Sequence, residues 1–411
     1  MEEGHTRARE RISTRLSGTS ASAEGKTGYC MYNYAQARLK LVRLPEAAGR
    51  NFEQTGQLLF AQDDGPDRLV SVTLPAYGYA LVTETQSGVS DVTGETVTVA
   101  DDCLENQFLR LEFDLQSGTL RRAIDKTNGR DLLTANSHAF YFPQSSRQVC
   151  RQSRIRLQGP LRGSIAFNIE LADDSGNRCT METVVSLDAN QAVATFATKV
   201  LEVPGLEGNQ WSNHLGVQFQ FPDAGTEILA SHFNVLEPFF HNQIFSPNVL
   251  VTRSEAGDTV FLNEGNQFYV RDGQSLRHIM IMENEPLREF RYAVGAAKNN
   301  PIMQSLKWSQ PCFVQKTKTR NGLEHANQSL IDLGNENIEL LSCRYDQGAL
   351  LVRLANTAGV PVKAALSVFQ PVTSASMTGL DGKPGRSLKV SDGRIKLNLR
   401  PWDIRQVRMT L

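Results

Sequence analysis

The residues of this 411-residue chain best able to do chemistry are seven histidines and six cysteines, and their spacing decides what they can do. His5, His138, His214, His232, His241, His278 and His325 form no H-x-D, H-x-H or H-E-x-x-H pattern, so no local metal motif is present. Lone histidines in a strand-rich chain ordinarily occupy satisfied core or surface positions. Cys30, Cys103, Cys150, Cys179, Cys312 and Cys343 contain no C-x-x-C pair and read as free thiols. A glycosidase needs two carboxyl groups that meet in the fold, and among 44 acidic residues the sequence nominates none. His278 and Glu283 are the nearest histidine and carboxylate for proton transfer at a sugar's anomeric centre, as in an aldose epimerase. Five positions apart on one strand, they would face opposite ways. Trp211, Trp308, Trp402, Tyr269 and Tyr292 are the aromatics able to stack on a sugar, although core packing is their ordinary use. No G-x-S-x-G elbow, phosphate-cradling glycine loop or dinucleotide fingerprint occurs, which leaves serine-hydrolase and nucleotide chemistry without support.

The elements that must position these residues are strands. Leu109, Leu111, Phe113 and Leu115 alternate with polar neighbours. So do Ile165, Phe167, Ile169 and Leu171; Leu215, Val217, Phe219 and Phe221; Ile395, Leu397 and Leu399; and Val407, Met409 and Leu411. A period of two marks half-buried strands. Turn residues punctuate the runs at Ser117-Gly118, Asn128-Gly129, Ser175-Gly-Asn177, Asp272-Gly273, Asp381-Gly382 and Asp392-Gly393. Many strands with hardly a helix predict an all-β chain of stacked antiparallel sheets. Residues 1–28 are polar and read as a disordered tail. Three blocks follow: a partial small β domain at 29–86, a large sandwich at 87–335 and a terminal set of strands at 336–411.

Apolar residues make up 40% and charged residues 21%, proportions of an ordinary globular protein. A formal net charge of −1 gives nucleic acid or a membrane surface nothing to hold. No apolar run reaches the roughly 18 residues a membrane helix needs, and the start lacks a secretory apolar region. The expectation is a cytoplasmic protein with neither a membrane nor a nucleic-acid partner.

Several segments in order carry a resemblance. Glu105-Asn-Gln-Phe-Leu-Arg-Leu-Glu-Phe-Asp114, with Ser117-Gly-Thr-Leu120, Ile124-Asp-Lys126 and Asn128-Gly-Arg130, resembles the opening of the large sandwich of glycoside hydrolase family 38 α-mannosidases. Leu74-Pro-Ala-Tyr-Gly-Tyr79, Gly159-Pro-Leu-Arg162, Ile338-Glu-Leu-Leu-Ser342, Leu350-Leu-Val-Arg-Leu-Ala-Asn356 and Leu399-Arg-Pro-Trp-Asp-Ile-Arg405 are similar to later and flanking strands of that family. The resemblance implies a mutarotase-like supersandwich flanked by smaller β-sandwich segments. It implies further that the complete enzyme cleaves α-mannosides with retention, using a carboxylate nucleophile and a zinc ion.

The family keeps that chemistry in an N-terminal domain marked by H-x-D, a D-P-F-G-type segment and a later histidine. None of the three is in this sequence, so no catalytic or metal residue is carried over and no cofactor is assigned to this chain. Ser137-His-Ala-Phe-Tyr-Phe-Pro143 is similar to a segment whose tyrosine reaches the active site in some members, and Phe140 stands at that place. Phe140 is therefore the one substrate-proximal position the resemblance implies.

The leading expectation is the non-catalytic C-terminal β half of an α-mannosidase, partnered in cis or trans by a catalytic domain and, through it, by carbohydrate. The Arg- and Ser-rich start fits translation that begins inside a longer gene. The alternatives are a stand-alone carbohydrate-binding β-sandwich module and an aldose epimerase.

Overall fold

A computed structural model describes residues 26–86, 96–143, 145–173, 178–223, 227–255, 257–319, 327–346, 348–379 and 381–411. Strands are by far the commonest element in those residues, and every strand pairing is antiparallel, as the alternation predicts. Among the described residues the one helix is Pro301–Ser309. Asn300 opens it by accepting the Met303 backbone N–H at 3.1 Å, and proline follows where no amide hydrogen is required.

Contacts divide the chain into two units, residues up to 91 with those from 306 onward, and residues 92–305. The two larger cores of the first unit are separate. In one, the strand Lys26–Asn33 lies between Cys312–Thr319 and Gly78–Thr85, and Tyr29, Met31, Phe52, Val70, Val72 and Leu74 pack beneath. In the other, a five-stranded sheet beginning at Ile338–Asp346 faces a four-stranded one over Leu333, Val352, Leu354, Leu366, Ile395 and Met409. Asp392 and Gly393, at φ of 51° and 69°, form a two-residue turn that sets Ser391 opposite Arg394.

Two local details differ from the sequence expectation, and so does the grouping of the blocks. Residues 26–28, expected in the tail, pair with Thr317–Thr319 in a regular ladder, because backbone hydrogen bonds need no apolar side chain. Residues 1–25 and the Ser175-Gly-Asn177 turn lie outside the described residues. The other difference is that Leu115 is 38% exposed. Its strand ends at Phe113, where the Asp114–Thr119 turn begins with Gly118 N–H donating to the Asp114 carbonyl at 2.7 Å. The segments 29–86 and 336–411, read as separate blocks, fall in one unit, joined there by residues 306–335.

The second unit stacks three antiparallel sheets of five, five and nine strands around one core. Four long strands, Ser145–Gln158, Arg162–Asp173, Arg178–Asp188 and Val193–Glu202, start the nine-stranded sheet. Ile165, Phe167, Ile169 and Leu171 point inward, while Arg151–Glu170 and Arg154–Glu182 ion pairs line the outer face. That outer face is an ordinary solvated surface. The nine-stranded sheet ends at Val235–Pro238, and the second five-stranded sheet ends at Gln243–Phe245.

Candidate functional site

The histidines divide by burial. His138 Nε2 and the Tyr292 hydroxyl share a hydrogen bond of 2.8 Å inside the core, continued to Thr198 at 3.2 Å and from there to Thr183 at 2.9 Å. His138 stacks on Phe196 at 4.6 Å, and burial pushes its imidazole down to about 3. His278 stacks on Tyr269 at 4.5 Å, with Nε2 2.8 Å from the Asn266 carbonyl oxygen; burial lowers it to about 4. His214 contacts the Gln210 carbonyl through Nδ1 at 2.8 Å and is lowered to about 4, chiefly by burial and further by the Arg277 charge. Neutral, sealed imidazoles of this kind specify a core. They do not exchange protons with a substrate.

Glu283 is not brought to His278. The strand Ser275–Ile281 ends before it, and the exposed Glu283 carboxylate instead accepts the Gly208 N–H at 3.2 Å. The aldose-epimerase pair is thereby dissolved. The cysteines are free thiols, and burial raises those of Cys30 and Cys312 to about 11 and that of Cys179 to about 12. Thiols this far above neutrality are poor nucleophiles. Among the described residues no group of three or more His, Cys, Asp or Glu is placed to hold a metal ion. The zinc that the resemblance implies for a complete enzyme has no donor set among them.

Of the aromatics named from sequence, Tyr269 and Tyr292 are buried, while Trp211, Trp308 and Trp402 are half-buried. Phe140 is 6% exposed, its ring set edge-on to His138 at 5.1 Å. Alternation along Ala139–Tyr141 sends Phe140 into the core and Tyr141 to the opposite face, where the Arg277 guanidinium lies 3.5 Å from its ring centre.

The surface feature that stands out is an aromatic edge. Trp211 meets Phe268 at 5.8 Å, Phe268 meets Phe245 at 5.6 Å, and Phe245 stacks with His232 at 6.2 Å. His232 meets Phe239 at 5.9 Å, and Phe239 meets His241 at 5.7 Å. Six rings thus link Trp211 and the last two strands of the second five-stranded sheet, Phe268–Asp272 and Gln243–Phe245, to the hairpin that ends the nine-stranded one and the residues just past it. His232 Nδ1 also sits 3.1 Å from the Glu237 carboxylate. Beside the row, Phe233 is fully exposed and Phe240 is 86% exposed. No motif or alternation in the sequence points to this edge. The adjacent Phe239-Phe240 pair is its one local signal, because the other rings come from segments up to about 60 residues apart.

Residues 335–406 match the profile described as the glycosyl hydrolases family 38 C-terminal beta sandwich domain. The chain carries that family 38 domain. No curated protein matches the chain in sequence. Two solved structures share its fold across 98% of its length. One is a protein in the glycosyl hydrolase family 38 from Enterococcus faecalis, with a TM-score of 0.75 at 15% identity. The other is an alpha-mannosidase from Enterococcus faecalis V583, with a TM-score of 0.74 at 14% identity. The family 38 domain and the strands before it span 61% and 58% of those two chains, about three fifths of their length. Among the described residues no helix is long and apolar enough to cross a membrane.

Proposed function

We propose that this chain serves as the C-terminal β half of a family 38 α-mannosidase, holding a catalytic domain supplied in cis or trans. The observation that carries the proposal is the combination of the family 38 match at residues 335–406 with a fold shared over 98% of the chain. The shared fold leaves some two fifths of each Enterococcus faecalis protein unmatched, room for the domain that would hold the zinc and the nucleophile. In this reading the β half binds no mannoside by itself and does no chemistry alone. It fixes the catalytic domain in place, and carbohydrate is met through that domain.

The test is reconstitution. The purified chain, mixed with a separately produced family 38 catalytic domain from the same genome, should form a one-to-one complex in size-exclusion chromatography with light scattering. Hydrolysis of an aryl α-mannoside by that domain should rise on mixing. No complex at tens of micromolar, together with direct binding of oligomannosides by this chain alone, would replace the proposal with a stand-alone carbohydrate module.

A further inference from the structure

We propose that Asn128 is a site of spontaneous covalent modification, where the chain converts this asparagine to isoaspartate without an enzyme; the inference is independent of the function proposed above. Asn128 and Gly129 are both exposed, at the tip of the hairpin between the strands Leu120–Asp125 and Arg130–Leu133. The sequence holds one other Asn-Gly pair, Asn321-Gly322, which lies outside the described residues. Glycine obstructs attack by its own backbone nitrogen on the preceding side chain less than any other residue, because it has no Cβ. Gly129 has φ of 74°, and beyond its chain neighbours no atom lies within 4 Å of where a Cβ would stand. Asn128 Oδ1 accepts the Arg130 N–H at 3.2 Å. That bond turns the side-chain amide back along its own backbone and draws electrons away from Cγ, the atom to be attacked.

One bond opposes the reaction. The Gly129 N–H donates to the Asp125 carbonyl at 2.8 Å and must be released before the nitrogen can give up its proton to hydroxide. Residues 126–129 are all exposed, and a tip of this kind opens locally while the strands behind it stay paired. The deprotonated nitrogen then bonds to Asn128 Cγ, closing a five-membered succinimide, and the Cγ–Nδ2 bond breaks to release ammonia. Attack within one chain needs no encounter of separate molecules, which is what makes it competitive without a catalyst. Water opens the ring at Cγ to leave aspartate, or at the Asn128 main-chain carbonyl to leave isoaspartate, in which the main chain runs through Cβ and Cγ. The second product matters to the fold. An extra main-chain carbon ahead of Gly129 displaces Arg130, whose side chain is only 10% exposed. Its guanidinium donates to the carbonyls of Gly257, at 3.0 Å, and Asp258, and so ties this hairpin to the strand Gly257–Asn263.

The experiment ages the folded full chain in mildly alkaline buffer and follows peptides by mass spectrometry, with electron-transfer fragmentation to tell isoaspartate from aspartate. The peptide spanning Asn128 should gain the mass difference between an amide and an acid sooner than peptides around the other described asparagines, and should divide into two isomers with isoaspartate in excess. Asn128→Gln should abolish the gain, because a longer side chain closes the ring far more slowly. The isoaspartate form, separated by ion exchange, should unfold several degrees below fresh wild type. Fresh Asn128→Asp should unfold with the wild type, since its carboxylate still accepts the Arg130 N–H. An amide at Asn128 that outlasts the folded protein's other asparagines, while the same chain in urea loses it, would show that the Asp125 bond locks the tip and would overturn the proposal. Aspartate as the sole product would overturn the succinimide route. Unfolding of the isoaspartate form at the wild-type temperature would overturn the claimed effect on Arg130.

Discussion

His138 and Tyr292 face each other across 2.8 Å in the middle of a core of phenylalanines, and the imidazole there is neutral. In the unfolded chain histidines titrate near 6.5, whereas in the folded protein His138 is pushed to about 3 and His214 and His278 to about 4. Between those values the unfolded chain holds protons that the folded chain does not. Stability is therefore fully present above about pH 6.5 and falls as the pH drops toward 4, by up to ~1.4 kcal/mol per pH unit for each group. The unfolding temperature should fall by several degrees from pH 7 to pH 5, before most carboxylates titrate. His278→Phe should flatten the slope. A temperature unchanged across that range would show that these rings are accessible to solvent protons.

Asn106 is the most heavily used residue of the segment that first carries the resemblance. Its Nδ2 donates to the carbonyls of Asp188 at 2.7 Å and Gln191 at 2.8 Å, and its Oδ1 accepts the N–H groups of Phe108 and Leu109, each at 2.8 Å. Removal strands four backbone groups at a position only 3% exposed. Asn106→Ala should cost about 2–4 kcal/mol in urea unfolding. Asn106→Asp should also destabilise, since a carboxylate would face two carbonyl oxygens. A loss under about 0.5 kcal/mol would mean that water replaces these bonds.

What is legible in the sequence follows from the range of each interaction. Alternation is local, so Ile165, Phe167, Ile169 and Leu171 announce a buried strand face, and all four are inward. Asn356 shows the same logic as Asn106: within a family-like segment it ties the Val360 and Arg400 carbonyls, at 2.8 and 2.7 Å, a structural duty the motif alone does not reveal. The pairing of Cys312–Thr319 with Lys26–Asn33 spans some 280 residues and has no local signal, which is why the sequence groups residues 306–335 with the large sandwich and the structure does not. The aromatic edge is hidden for the same reason. Its rings converge only when the outermost strands of two sheets are in place.

Gly295 tests how tightly the long sheet is built. It lies opposite Val193 on one side and Val260 on the other. A Cβ added there would come within 2.6 Å of Val193 Cα and closer still to the Ala192 carbonyl oxygen, so backbone rather than a flexible side chain would have to yield. Gly295→Ala should therefore destabilise by about 1–3 kcal/mol, despite the usual gain from replacing glycine in a strand. An unchanged or raised unfolding midpoint would mean that the neighbouring strand shifts at little cost.

The remaining prediction concerns catalysis. Retaining cleavage of an α-mannoside needs a nucleophile and a proton donor and, in the family that this chain resembles, a zinc ion held against the sugar. The sequence contains no H-x-D or D-P-F-G segment, and its buried histidines are committed to core partners: His138 to Tyr292, His214 to Gln210 and His278 to Asn266. Groups that act as a unit leave little when the unit is missing, because the surviving contacts bind without stabilising a transition state. The purified chain should show no zinc-dependent hydrolysis of an aryl α-mannoside above the uncatalysed rate. Saturating concentrations of substrate should not change that, since the deficit lies in the chemical step rather than in binding. Turnover by this chain alone, abolished by a chelator and restored by zinc, would place a complete active site within it and would end the reading of it as a half that works only with a partner.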